Sequence, residues 1–279
     1  MTTAFVLSGG GNLGAVQVGM LQALADAGIH PDVLVGTSVG AVNAGWVAAG
    51  CDRASLDRLE EIWCGLQRSD VFPLGLLEGF LGFIGRRDHL VSNEPLRRLV
   101  STHLRFRRLE DAPIPLTVIA ADVLSGTERA LSSGDATTAI LASAAIPGVF
   151  PPVEIDGRPL IDGGVVDDTP VSHAVRAGVD VVYALPTGFS CSLSEAPSSA
   201  LAMVLHGIGI LASQRLVNDI ERYRGAGVDL RVVPPPCPVD VSPIDFSHTR
   251  ELIERGRASA AAWLEAGMPP VRAEVTLQL

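Results

Sequence analysis

Val33-Leu34-Val35 runs straight into Gly36-Thr37-Ser38-Val39-Gly40, and the residues from Ala41 to Ala49 are small or apolar apart from Asn43. A short β-prone run, a GxSxG turn and a small-residue helix closed by Gly50 make one strand–turn–helix unit. Gly36 and Gly40 fit a turn too sharp to leave room for Cβ atoms beside the serine. Such a turn lifts the Ser38 hydroxyl out of the sheet and puts a helix N-terminus beneath it. A structural βα turn is the plain reading. The fitting strand ahead of the turn favours Ser38 as a nucleophile.

The same alternation continues on both sides. Ala4–Ser8 reads as a strand, Gly14–Ala27 as a helix stopped by Gly28, and Leu56–Leu66 and Pro95–Leu104 as helices, the latter after a Ser92/Asn93 cap. Leu116–Asp122 and Thr127–Leu131 read as strands, Thr137–Ala145 as a helix halted by Pro147, and Val153–Ile155 with Pro159–Ile161 as a hairpin about Asp156-Gly157. A helix over Val171–Ala177, a strand over Val179–Leu185, then Leu201–Tyr223, Leu230–Val233 and Thr249–Ala266 complete the series. Strands alternating with helices predict an α/β fold, a mainly parallel sheet covered on both faces, with residues 1–279 as one domain.

Two further patterns carry chemistry. Ser8-Gly9-Gly10-Gly11-Asn12-Leu13-Gly14 lies between a strand and a helix, where backbone N–H groups gather around one negative charge. Gly9, Gly11 and Gly14 also spell the dinucleotide fingerprint. That reading lacks its acidic partner, because the second strand ends in Gly36-Thr37-Ser38 and the nearest acid, Asp32, precedes it. Leu160-Ile161-Asp162-Gly163-Gly164 sets an aspartate at a strand end; alone it is an ordinary turn.

In this order the three patterns resemble the patatin-like phospholipase family, up to about Val171. A fourth block agrees: Ala142-Ser143-Ala144-Ala145-Ile146-Pro147-Gly148-Val149-Phe150-Pro151 resembles that family's Ser/Ala-rich helix end and its Pro-x-x-Phe-x-Pro turn. The resemblance implies a three-layer α/β/α fold and a Ser–Asp dyad acting on carboxylic esters of lipids, with phospholipid or lysophospholipid leading. Ser38 would be the nucleophile, Asp162 the general base, and Gly9, Gly10, Gly11 and Gly14 the oxyanion loop, with no metal or organic cofactor. Burial of Asp162 is expected to raise its pKa and make it a better base. The sequence departs from the family's usual residues at Leu13, where Arg or Lys is usual, and at Asp168, where Asn is usual.

Other readings stay open. A Ser–Asp–His triad fits the order Ser38, Asp162, then His173, His206 or His248, although Ser38 follows only the second strand. A broader carboxylesterase or glyceride lipase, or a lipid-binding protein without catalysis, would share the fold. Net charge of −10 argues against nucleic acid as a partner, and all 21 basic residues are Arg, which excludes lysine-dependent chemistry. Cys51, Cys64, Cys191 and Cys237 lack zinc-ligand spacing and are expected to be reduced. Met1-Thr2-Thr3 offers no signal-peptide n-region and no run spans a bilayer, so the expected location is cytoplasmic, with peripheral membrane contact open. Residues 71–85 place Leu76, Phe80 and Phe83 on one half of a helical wheel, as a core helix or a lid that meets lipid. Arg86, Arg87, Arg97, Arg98, Arg105, Arg107 and Arg108 suit solvated faces better than anionic headgroups. Leu201–Leu211 is a second apolar stretch that fits a core helix or a tunnel wall, the core helix being favoured.

Overall fold

The computed structural model describes residues 1–73, 88–188, 196, 200–223, 225, 227–239 and 241–270. Leu76, Phe80, Phe83, Arg86, Arg87 and Cys191 therefore lie outside the described residues. The strands are β1 (Thr3–Leu7), β2 (Val33–Thr37), β3 (Leu116–Asp122), β4 (Glu128–Leu131), β5 (Val153–Ile155), β6 (Arg158–Asp162), β7 (Val181–Leu185) and β8 (Asp229–Val232). They form one sheet in the order β5-β6-β3-β2-β1-β7-β8, with β4 also paired to β3. From β3 through β2, β1 and β7 to β8 the pairing is parallel, while β4, β5 and β6 join antiparallel. The order steps outward from β1 in both directions, so β1 and β2 are central and the loops after them share one edge of the sheet.

The central strand shows why the fold has three layers. Side chains alternate across a strand, and in β1 Phe5 and Leu7 join one core while Ala4 and Val6 join another. The larger core packs α1 (Gly14–Asp26), α2 (Val39–Val47), α3 (Arg53–Gly65), α5 (Glu94–His103), α6 (Ala136–Ser143) and α9 (Thr249–Glu265); the short α4 (Arg68–Val71) precedes α5. The smaller core packs α7 (Val171–Arg176) and α8 (Ala200–Tyr223). Both faces are covered, so the central strands read as continuous apolar runs.

Local chemistry sets the element ends. Asp52 caps α3 by accepting the Ser55 N–H at 2.7 Å, and Asp135 caps α6 from Thr138 at 2.7 Å. At α5 the expected cap changes hands: Ser92 Oγ accepts the Glu94 N–H at 3.2 Å, while the Asn93 side chain makes no cap bond. Asp156 and Gly157 turn the β5–β6 hairpin with φ of 52° and 71°, the pair of positive values a tight two-residue turn needs.

Two expectations fail. The core reading of α8 fails at the described Met203, Val204, Ile210 and Leu211, which are exposed, while Leu216 further along joins the smaller core. Cys51 and Cys64 are free, but Cys237 is disulfide-bonded; pairing depends on distance in space, which spacing along the chain does not report. Arg97 and Arg108 pair with Glu94 and Glu110, as solvated faces do. No described helix is long and apolar enough to cross a membrane.

Candidate active site

β2 delivers Ser38 at its end, and the backbone there is strained: Ser38 has φ 56° and ψ −125°, a region L-residues rarely occupy. Neighbouring contacts hold it. A Cβ on Gly40 would overlap the Leu7 carbonyl, and one on Gly36 would stand 2.5 Å from the Gly40 carbonyl oxygen, so α2 starts hard against β1 and β2. The Ser38 N–H donates to Ser143 Oγ at 2.9 Å, whose hydroxyl donates to the Ile119 carbonyl at 2.5 Å.

β6 delivers Asp162 from the other side. Its backbone N–H donates to Ala145 at 2.9 Å, and its Oδ1 accepts the Gly164 N–H at 2.8 Å. Oδ2 accepts the Ser38 hydroxyl at 2.6 Å. Both side chains are buried, at 8% and 6% exposure for Ser38 and Asp162. Burial pushes the Asp162 carboxyl up to about 6, against the pull of the bonds from Ser38 and Gly164. An aspartate so placed is a better proton acceptor than a solvated one. Among the described residues neither oxygen accepts from a histidine. His173 pairs with Glu128 at 2.5 Å and His248 with Glu251 at 3.4 Å.

The glycine loop closes the third side. Gly10 and Gly11 adopt φ of 142° and 59°, open to glycine with little strain. The four loop glycines do not play one part. Asp168 Oδ1 packs where a Gly9 Cβ would stand, and the Gly14 N–H turns inward to the Gly11 and Asn12 carbonyls. Asn12 and Leu13 N–H groups are taken by Pro243 and Gly10. Among the described residues the N–H groups of Gly10 and Gly11 meet no protein acceptor. Leu13 packs half-buried against the larger core, which accounts for an apolar residue there.

Several residues that hold this geometry were not singled out from the sequence. Gln17 donates to the carbonyls of Ser8 and Leu185, both at 2.9 Å, tying the ends of β1 and β7 together. Asn43 donates to Gly14 and to Gln17 Oε1 and accepts from Trp63 Nε1. Thr187 Oγ1 holds the Gly9 carbonyl at 2.6 Å, and Thr37 Oγ1 holds the Asp167 carbonyl at 2.8 Å. A polar residue inside an apolar helix was the only sequence signal for Gln17 and Asn43.

Beside Ser38 opens an apolar pocket lined among others by Val42, Trp46, Phe72, Leu96, Ile146 and Phe150. Phe72 and Phe150 stack at 5.4 Å. On the far side of the Asp162 loop, Glu128, Asp167 and His173 come within 4.8 Å of one another. Arg215 meets Asp167 at 3.2 Å and Arg176 meets Glu128 at 3.6 Å, so that cluster already carries its cations as an ion-pair network.

A three-layer α/β protein with a serine on a strained strand–helix turn, bonded directly to a buried aspartate, is the class these features define. The model of the family described as patatin-like phospholipase matches residues 5–175, and the chain belongs to that family. An uncharacterized NTE family protein of Mycobacterium tuberculosis is 34% identical over 185 residues, 65% of this chain and 48% of that protein. Patatin-like phospholipase domain-containing protein 7 of Rattus norvegicus is 29% identical over 66% of this chain and 13% of its own length. Lysophospholipase NTE1 of Kluyveromyces lactis is 28% identical, over 66% and 12%. The chain thus matches half or less of the length of these relatives. Human GIVD cytosolic phospholipase A2 shares the fold at a TM-score of 0.53 and 10% identity, over 99% of this chain and 60% of that one.

Proposed function

We propose that the protein is a serine acyl hydrolase that cleaves carboxylic esters of lipids, phospholipid or lysophospholipid foremost, through Ser38 and Asp162. The observation that carries this reading is the 2.6 Å bond from the Ser38 hydroxyl to Asp162 Oδ2, made at a strained, buried turn. Ser38 Oγ attacks the ester carbonyl carbon and its proton passes to Asp162 Oδ2. The carbonyl oxygen becomes an oxyanion facing the Gly10 and Gly11 N–H groups, each such donor lowering the barrier by about 3–4 kcal/mol. Collapse breaks the ester C–O bond, and the leaving alcohol takes the proton from Asp162. Water, deprotonated by Asp162, then hydrolyses the acyl-enzyme and restores Ser38. The reaction as written calls for no cofactor.

The lipid part of the reading draws on the apolar pocket, which suits an acyl chain, and on family membership. Relatives named lysophospholipases point to the same substrate class. Exposed Met203, Val204, Ile210 and Leu211 on α8 offer a face for peripheral membrane contact.

The test is labelling by a fluorophosphonate probe and hydrolysis of p-nitrophenyl butyrate and lysophosphatidylcholine by wild type, Ser38→Ala and Asp162→Asn. Labelling and both hydrolyses should vanish in the first variant and collapse in the second. Folded wild-type protein that binds lysophospholipid but is neither labelled nor active would replace the reading with lipid binding. Activity on the short ester alone would replace the lipid substrate with a general ester.

A further inference from the structure

We propose that Asp168 is the second carboxylate of this site: a positioning residue that holds the Gly9 turn of the glycine loop and must carry a proton while the oxyanion forms. The proposal rests on the hydrolase reading above and goes beyond its two residues.

The geometry brings Asp168 to the reacting groups. A Cβ built on Gly9 would overlap Asp168 Oδ1 while standing 3.2 Å from the Ser38 Cβ, so the carboxylate packs directly on the Gly9 turn. One small volume is therefore bounded by the carboxylate and by the serine. A Cβ on Gly164 would stand 3.1 Å from Asp162 Oδ1 and 3.2 Å from Asp168 Oδ1, so the two carboxylates flank the same glycine. On its other side Gly9 is fixed by Thr187 Oγ1 on its carbonyl. Asp168 and Thr187 thus hold the turn immediately before the free N–H groups of Gly10 and Gly11.

The charges around Asp168 have one sign. Asp162 faces it from the end of β6 and Asp167 from its own loop, while the glycine loop brings no charged side chain. The nearest cation from α8, Arg215, pairs with Asp167 and with the Val166 carbonyl instead. Among the described residues no arginine offsets a charge on Asp168. Burial first, then the Asp162 charge, push its carboxyl up to about 7.

This matters for the chemical step. As Ser38 attacks, Asp162 becomes neutral and the negative charge moves to the oxyanion, so the site holds one net negative charge throughout if Asp168 is protonated. An ionised Asp168 makes it two, beside donors that must stabilise the oxyanion in a low-dielectric setting. The neutral acid keeps its packing on Gly9 without adding the charge. Asparagine does the same and cannot ionise.

The experiment measures fluorophosphonate labelling rates and kcat and kcat/KM on p-nitrophenyl butyrate from about pH 5 to about pH 9. It compares wild type, Asp168→Asn and Asp168→Ala, with Ser38→Ala as the blank and circular dichroism to establish folding. Wild type should lose activity by about tenfold per pH unit beyond the second ionisation. Asp168→Asn should lose that alkaline limb, and Asp168→Ala should lower kcat at every pH through the unanchored Gly9. A wild-type alkaline limb retained in Asp168→Asn, or an unchanged kcat in Asp168→Ala, overturns the proposal and leaves the hydrolase reading standing. Wild type that is not labelled at any pH, or labelling that survives Ser38→Ala, overturns the hydrolase reading and this proposal with it.

Discussion

Ser143 is the brace of Ser38: it accepts the Ser38 N–H at 2.9 Å and anchors its own hydroxyl on the Ile119 carbonyl at 2.5 Å. The strained turn is therefore fixed from α6 and β3, two elements about a hundred residues away in sequence, rather than by its own glycines alone. A residue with φ 56° stays there only when its surroundings over-determine it.

Ser143→Ala leaves a buried N–H without a partner, which costs about 1–3 kcal/mol. The expected result is a lower melting temperature and a kcat reduced by roughly tenfold to a hundredfold, with KM little changed, because the pocket stays intact. Ser143→Thr, which keeps the hydroxyl, should recover most of the kcat. Steady-state kinetics on one short ester reads all three.

Asp162 sets the acid limb. Its carboxyl is raised from 3.8 to about 6, chiefly by burial, and only the ionised form accepts the Ser38 proton. Activity should therefore rise with pH through about 6 and be lost below it. In Asp162→Asn kcat should fall by about 10²–10⁴, the span of general-base contributions, and the limb should disappear with it.

Histidines are expected to be dispensable. His173 sits in the Glu128 ion-pair network and His248 stands at the N-terminus of α9, 3.4 Å from Glu251, each with a structural partner. His173→Ala, His206→Ala and His248→Ala should each retain wild-type labelling by a fluorophosphonate within about threefold, well under the effect of a lost general base. A single histidine variant that loses labelling while staying folded would put the triad in place of the dyad.

Much of this architecture was legible because the signals were local. The Ala4–Leu7 and Val33–Val35 runs, the Asp156-Gly157 turn and the GxSxG each specify their own backbone, and the alternation they belong to specifies the layers. Ser38 and Asp162 were legible for the same reason, as residues at strand ends beside glycines. What could not be read was set by distance in space. Asp168 and Gly9 lie 159 positions apart, yet Asp168 Oδ1 packs where a Gly9 Cβ would stand. Gln17 and Asn43 look like isolated polar residues in apolar helices until the ends of β1 and β7 are brought to them. The antiparallel addition of β4, β5 and β6 and the exposure of Met203, Val204, Ile210 and Leu211 on α8 likewise follow from packing, where an apolar run alone fits core and surface equally.

Stability should report the same acids. Asp168 is raised from 3.8 to about 7, so the folded state holds its proton more tightly than the unfolded chain does. That contribution is fully present below about pH 4 and is lost as pH rises through about 7. Asp168→Asn removes the loss. Its melting temperature should match wild type near pH 4 and exceed it by several degrees near pH 8, measured by calorimetry or dye binding. An equal offset at both pH values would place the effect in packing rather than in ionisation.

The pocket predicts chain-length selection. Ile146 follows the α6 helix end and lines the apolar space beside Ser38, together with the stacked Phe72 and Phe150. Ile146→Trp adds bulk at a half-buried position, so the fold should tolerate it while the pocket narrows. A butyrate ester needs little of that space and a long acyl chain needs most of it. The kcat/KM for a palmitoyl ester should fall by at least about tenfold relative to butyrate, the scale of a few apolar groups denied burial at about 0.8 kcal/mol per methylene. Because both substrates use Ser38 and Asp162, their ratio cancels any shared effect on the chemical step. A ratio unchanged by Ile146→Trp would mean that the acyl chain leaves the site by another route.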